Sequence, residues 1–334
     1  MIVESHSEPV LVADIGGTHA RFALAAAPHY ALTEVQVMRC AGHATLQDAA
    51  LAYLAGLDQA ARAHRPRRAA LAIACVVDDE PVRMTNSPWV ISRAAITAAL
   101  GLSKLILLND FEAIALSLPV LGPGELRPIG GGSVNQLLPM AAIGPGTGLG
   151  VALCVPSGGR WLAVRTEGGH ATAVCADDFE LEVLRAARRE FEHVSTERLL
   201  SGIGLPVLYR AVAQVRGDQP LQLGAEQITQ RAQQGSDAAC AQTLETFFAM
   251  LGTFAGNVAL GTGARGGVFI AGGIAQKLED SLVKSMFRER FEAKGRYQNY
   301  MAGIATRLIT APHCALVGAA QAMNASARAP DRHG

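Results

Sequence analysis

Several short stretches of this chain combine residue types and spacing that could do chemistry. The first is Asp14-Ile15-Gly16-Gly17-Thr18-His19. A glycine pair lets the backbone bend so that successive N–H groups converge, and converging N–H groups make an anion-binding hollow. Thr18 adds a hydroxyl donor. Asp14, at the end of an apolar run, could hold a magnesium ion through water, because magnesium prefers oxygen ligands and keeps its waters. An ordinary hairpin turn with a capping Asp is the other reading of the same residues. The second stretch, Gly144-Pro145-Gly146-Thr147-Gly148-Leu149-Gly150, carries more glycine than a plain turn requires. It favours phosphate contact by Thr147 and the amides of Gly144, Gly146 and Gly148. Neither stretch matches the usual nucleotide motifs. No lysine follows the glycines as in the Walker pattern, and G-x-G-x-x-G is missing from both turns.

Three further pieces could supply a base and a polar cradle. Asn109-Asp110 follows the apolar run Lys104–Leu108. The carboxyl ends of parallel strands are where α/β proteins place their chemistry, and a carboxylate there can take a proton from a hydroxyl nucleophile during phosphoryl transfer. A helix N-cap is the competing role for Asp110, and the two can coexist. Glu167-Gly168-Gly169-His170 sets an acceptor and a donor–acceptor around two flexible residues. Paired partners of that kind suit sugar hydroxyls. A surface turn is the alternative, and a metal site would need two more ligands than are apparent. Glu197 reads only as an acid in the first turn of a helix. Gly272-Gly273, after the apolar run Gly267–Ala271, could offer a flat face to a base or serve close strand–helix packing.

These stretches need elements to position them. Val10–Ala13 and Arg21–Ala25 read as strands around the first glycine turn, and Met140–Ile143 and Val151–Val155 as strands around the second. Ala69–Val77 and Lys104–Leu108 are near-continuous apolar runs, as expected of strands buried on both faces. Ser92–Leu100, Phe111–Leu118, Asp178–Glu192, Glu197–Ala213, Ala225–Gln234, Ala238–Leu260 and Ala315–Asn324 have helical composition. Gly122–Pro139, rich in Gly and Pro, reads as irregular. Strands alternating with helices give an α/β class. Leu11–Ala25 and Ala141–Val155 share one plan, which suggests two similar domains, each contributing a turn to a shared cleft.

The composition excludes several function classes. The 334 residues exceed one usual core, so two domains are expected. With 29 basic and 29 acidic residues, the chain lacks the basic footprint of a nucleic-acid binder. The six cysteines are scattered with no C-x-x-C, which argues against a zinc site or a disulfide framework and fits free thiols in a cytoplasm. Met1–Pro9 does not resemble a signal peptide, and no run approaches the roughly 20 apolar residues of a membrane span.

As an ordered set the motifs resemble the bacterial glucokinase family of the hexokinase/actin-like ATPase superfamily. The matching segments are Leu11–Arg21 (LVADIGGTHAR), Met84–Trp89 (MTNSPW), Leu107–Ala113 (LLNDFEA), Ile143–Val151 (IGPGTGLGV), Glu167–His170 (EGGH), His193–Gly204 (HVSTERLLSGIG) and Gly266–Ala275 (GGVFIAGGIA). The resemblance implies two ribonuclease H-like (actin-like ATPase) domains flanking a cleft. One would comprise residues 1–120 plus 311–328, the other residues 121–310. It implies an ATP- and magnesium-dependent kinase that phosphorylates glucose at the 6-hydroxyl, the first step of glucose use in glycolysis. Asp110 would be the base, and Asn86, Asn109, Glu167, His170 and Glu197 would bind the other hydroxyls. Asp14, Gly16, Gly17, Thr18, Gly144, Gly146, Thr147 and Gly148 would serve phosphate, with Asp14 reaching magnesium through water. Gly272 and Gly273 would lie near adenosine. A homodimer is the family's common state. Three places depart from the usual pattern. His19 stands where the family has Asn, residues 171–175 read Ala-Thr-Ala-Val-Cys rather than Val-Asp-Phe-Ala-Pro, and Ile203 replaces Pro. A sugar-sensing regulator on the same fold, or a kinase for another hexose, is the alternative.

Overall fold

The computed structural model describes residues 8–27, 30–58, 65–84 and 87–327. The chain divides into two compact units. Unit 1 comprises Met1–Val120, Ser157–Arg165 and Pro312–Gly334; unit 2 comprises Leu121–Pro156 and Thr166–Ala311.

In unit 1, β1 (Val10–Ile15), β2 (His19–Ala26) and β3 (Ala31–Arg39) form an antiparallel meander, and β4 (Arg68–Ile73) and β7 (Lys104–Asn109) add in parallel beside β1. The sheet order is β3-β2-β1-β4-β7. A small antiparallel pair, β5 (Val82–Arg83) and β6 (Val90–Ile91), lies outside it. The parallel strands are apolar at almost every position because both faces are covered. Leu11, Ala13 and Ile15 face a core with Leu46 and Tyr53 of α1 (Leu46–Gly56) and Ile96 of α2 (Arg93–Leu100). The intervening Val10 and Val12 are equally buried. The parallel register sets Asp14 beside Ala72 and Ile73 beside Asn109, so β1, β4 and β7 end along one edge. Helix α3 (Asp110–Ser117) leaves that edge directly from β7.

The second sheet is built on β9 (Met140–Pro145), β10 (Leu149–Ser157), β12 (Gly267–Ile270) and β13 (Thr306–Ile309). With β8 (Leu126–Gly130) and β11 (Arg160–Thr166) its order is β11-β10-β9-β12-β13-β8. Again an antiparallel hairpin is followed by two parallel strands, as in unit 1. The helices of unit 2 are α4 (Asp178–Ala187), α5 (Leu205–Arg216), α6 (Ala225–Gln234), α7 (Ala238–Thr262) and the short α8 (Gly273–Lys277), α9 (Glu279–Lys284), α10 (Phe287–Glu292) and α11 (Gln298–Ala302). Helix α7 begins at an Asp237 cap that accepts from the Cys240 N–H at 2.9 Å and ends at left-handed Gly263. By length and hydropathy α7 meets the requirement for a membrane span that the sequence reading found nowhere. Here 72% of its apolar window is buried inside the protein, as a core helix is.

Finally α12 (Cys314–Ala327) packs on α3, β1 and β4 in unit 1. The approach is close because Gly318 has no side chain. A Cβ there would stand 1.6 Å from the Ala113 carbonyl oxygen of α3.

Two expectations need correcting. Leu126–Gly130 is a strand, because β13 offers its free edge as an antiparallel partner, and Pro128 is tolerated because β8 is itself an edge. Glu197–Gly204 is not helical, and α5 starts only at Leu205. The Ser201 hydroxyl donates to the Glu197 carbonyl at 2.7 Å and accepts from the Gly204 N–H at 3.0 Å, which holds a tight loop in place of a helical turn.

Candidate active site

In unit 1 the Gly16–Thr18 turn joins β1 to β2 and is closed by the Gly16 N–H donating to the His19 carbonyl at 3.0 Å. Cys40 fastens it from behind. Its N–H donates to the Thr18 carbonyl at 2.9 Å and its thiol to the Gly16 carbonyl at 3.4 Å. Thr18 is left exposed at the tip. Asp14 lies opposite Arg21 across the hairpin and accepts from its guanidinium at 3.1 Å. Burial pushes the Asp14 carboxyl above its ordinary value, against the pull of Arg21 and a smaller one from His313.

Asp110 is the first residue of α3. Burial, and then the charge of Asp14, raise its carboxyl to about 6, although the Phe111 N–H donates to its Oδ1 at 2.9 Å. Two carboxylates thus share one strand-end edge. Cys75 and Cys314 stand there too. Each thiol is raised to about 11, first by burial, then by Asp110 for Cys75 and by Asp14 for Cys314. Asn109, not Asp110, is the N-cap of α3. Its Oδ1 accepts from Phe111 and Glu112, the Glu112 carboxylate accepts from its own N–H, and its Nδ2 donates to the Cys75 carbonyl at 3.3 Å. The Asn109 side chain also lowers the Asp110 carboxyl by a hydrogen bond, against the larger effect of burial. The Asn-x-x-Glu spacing was a readable sign of this capping box. Asn86 lies outside the described residues.

In unit 2 the Gly146-Thr147-Gly148 turn joins β9 to β10, with Gly144 paired to Gly150 just inside the strands. The Gly146 N–H donates to the Gly148 carbonyl at 2.8 Å, and Thr147 is exposed at the tip. The loop that follows Ser195 grips this turn. The Gly202 N–H donates to the Gly146 carbonyl at 2.8 Å, and the Leu149 N–H donates to Glu197 Oε2 at 2.8 Å. His170 Nε2 stands 3.9 Å from Glu197 Oε1 and 4.0 Å from Glu167 Oε2. The structure therefore brings Glu167, His170 and Glu197 together. Glu197 is the sheltered one, with 22% of its side chain exposed against 69% for Glu167 and 61% for His170. The altered segment after His170 is held by backbone. Thr172 bridges Ser195, and the Thr196 N–H donates to the Ala171 carbonyl at 2.8 Å.

The glycine pair after β12 splits its roles. Gly272, at φ +87°, packs so tightly that a Cβ would lie 2.4 Å from the Pro145 carbonyl oxygen, whereas a Cβ on Gly273 would meet nothing within 4 Å. Close packing fits the first and an open face the second. Cys40, Cys75 and Gly318 were not singled out by sequence reasoning for the site, since their partners lie far along the chain.

Solved structures share this architecture. A glucokinase from an Antarctic psychrotroph is 35% identical, with a TM-score of 0.88 over 95% of this chain and 99% of that one. A ROK family glucokinase from Streptomyces griseus, solved with glucose and AMPPNP, is 19% identical with a TM-score of 0.63 over 94% of this chain and 98% of that one, a likeness of fold. The fold and the two glycine hairpins define a sugar kinase of the actin-like ATPase type. A family model described as Glucokinase matches residues 11–326. A glucokinase from Paramagnetospirillum magneticum is 48% identical over 94% of this chain and 97% of its own length, and one from Aromatoleum aromaticum 46% over 96% of each. The chain belongs to the glucokinase family.

Proposed function

We propose that the chain carries out ATP-dependent phosphorylation of glucose at its 6-hydroxyl, with Asp110 as the base. The family membership supports the reaction. The single observation that carries the residue assignment is a half-buried carboxylate at the end of β7, raised to about 6. An acid with that value is ionised at neutral pH yet basic enough to accept a proton as the transfer proceeds. The 6-oxygen attacks the γ-phosphorus in line, its proton passes to Asp110, and the bond to the β-phosphate oxygen breaks to release ADP. Glu167, His170 and Glu197 take the remaining hydroxyls, together with Asn109 and Asn86. Gly16, Gly17 and Thr18 of one turn, and Gly144, Gly146, Thr147 and Gly148 of the other, receive phosphates. Gly273 offers its open face to the nucleoside, and Gly272 fixes the seat of that face.

Magnesium fits the edge that holds Asp14 and Asp110, because two carboxylates there oppose each other's ionisation and a cation relieves that repulsion. Asp14 would hold it through water, and the ion would neutralise charge on the phosphates. The working domain division is residues 1–120 with 311–328, and residues 121–310. A homodimer and a cytoplasmic location complete the reading, the latter resting on six free cysteines. The test is Asp110→Ala, assayed by coupled turnover and by glucose calorimetry. Turnover is expected to fall by at least about 10² while glucose still binds. Unchanged turnover would remove Asp110 from the mechanism. A panel of hexoses in the same assay decides whether glucose is the preferred acceptor.

A further inference from the structure

Glu197 occupies a place that a sugar ligand alone does not need. Its Oε2 accepts from the Leu149 N–H at 2.8 Å, at the root of the Gly146–Gly148 turn, while its Oε1 faces His170. The fit is close, since a Cβ on Gly148 would stand 2.4 Å from Oε2. The main chain of Glu197 is tied to the other loop, because its N–H donates to the Gly169 carbonyl at 2.8 Å. One residue thus fastens the Glu167–His170 loop with its backbone and the glycine turn with its carboxylate.

We infer that Glu197 is a positioning residue for the nucleotide's phosphate turn, in addition to its role toward the sugar, so that the two ligands share one carboxylate. This rests on the function proposed above. Leu149 is buried, so without Glu197 its N–H would lose an ionised acceptor with no water to replace it, and the turn would relax to find another. A residue serving the sugar alone has no effect on nucleotide binding when sugar is absent. A residue that shapes the turn does.

The experiment measures binding of magnesium–AMPPNP by calorimetry with no sugar present. Glu197→Ala is expected to weaken it by about tenfold or more. Glu197→Gln keeps an oxygen for the Leu149 N–H and should hold nucleotide affinity within about twofold while weakening glucose. His170→Asn, which does not reach the turn, should weaken glucose only. If Glu197→Ala binds the nucleotide as the wild type does, the inference is overturned and the role of Glu197 is confined to the sugar. Should that variant fail to fold, Gly148→Ala approaches the same contact from the turn. It is expected to weaken glucose binding measured without nucleotide, and an unchanged glucose affinity would equally overturn the inference. A wild-type response of both ligands to both substitutions would, beyond that, remove the proposed site from unit 2.

Discussion

The two glycine hairpins follow one plan but rest on different supports. In unit 1 the turn between β1 and β2 ends beside Asp14 and Asp110, two half-buried acids along one edge, and the charge of Asp14 helps to raise Asp110 to about 6. In unit 2 the turn between β9 and β10 is held by an acid from far along the chain, Glu197, whose carboxylate is fixed on the Leu149 amide. The first arrangement opposes ionisation and makes a group that can take up a proton near neutrality. The second spends its carboxylate on an amide and makes fixed acceptors. On the function proposed above, one half would transfer the proton and the other would hold ligands still, although both begin from the same strand–turn–strand pattern.

The comparison can be broken most sharply at Asp110. Asp110→Asn should lower kcat by about 10²–10⁴ with glucose affinity largely kept. A carboxyl raised in the folded state costs stability in full above its folded value of about 6, and the cost shrinks as pH falls below 6 until it is gone below the ordinary carboxylate value of 3.8. The same variant should therefore raise Tm at neutral pH, and the gain should be smaller at pH 5, which thermal melts at the two pH values would reveal. No gain at neutral pH would mean that Asp110 is not destabilised by its setting.

Next in size is Gly318. Its absent side chain lets α12 seat the helix that begins with Asp110, so Gly318→Ala should cost about 1–3 kcal/mol by overpacking and lower kcat. Gly273→Ala in unit 2, facing open space, should leave urea stability nearly unchanged. Asn109→Ala, which removes the cap of α3, should cost about 1 kcal/mol in the same measurement. The smallest shift is expected in the pH profile of Asp14→Asn, apart from whatever turnover that variant loses through magnesium. The acidic limb of kcat/KM should have its midpoint near the Asp110 value of about 6, with activity lost as pH falls. Removing the Asp14 charge should move that midpoint down by a fraction of a pH unit. An upward movement would contradict the repulsion between the two acids.

Much of the arrangement was legible where cause and effect are neighbours in the chain. Asp110 could be read from its place after an apolar run, and both glycine turns from the runs that flank them. What could not be read depends on distant partners. Glu197 carries little local signal, because the amide it accepts from belongs to Leu149. Leu126–Gly130 looks irregular until β13 pairs with it. Gly318 in an Ala-rich helix reads as a weak point, and its purpose appears only against the Ala113 carbonyl. The capping box of Asn109 and Glu112 was the one local pattern open to reading that the search for chemistry passed over.

The contact between Gly318 and Ala113 also bears on how the protein is made. The helix carrying Asp110 emerges from the ribosome early, whereas the helix that seats it follows only after residues 121–311 have been translated. A nascent chain halted before residue 318 therefore has both glycine turns but lacks the brace beneath the helix of the proposed base, so the ability to phosphorylate should arise late in synthesis.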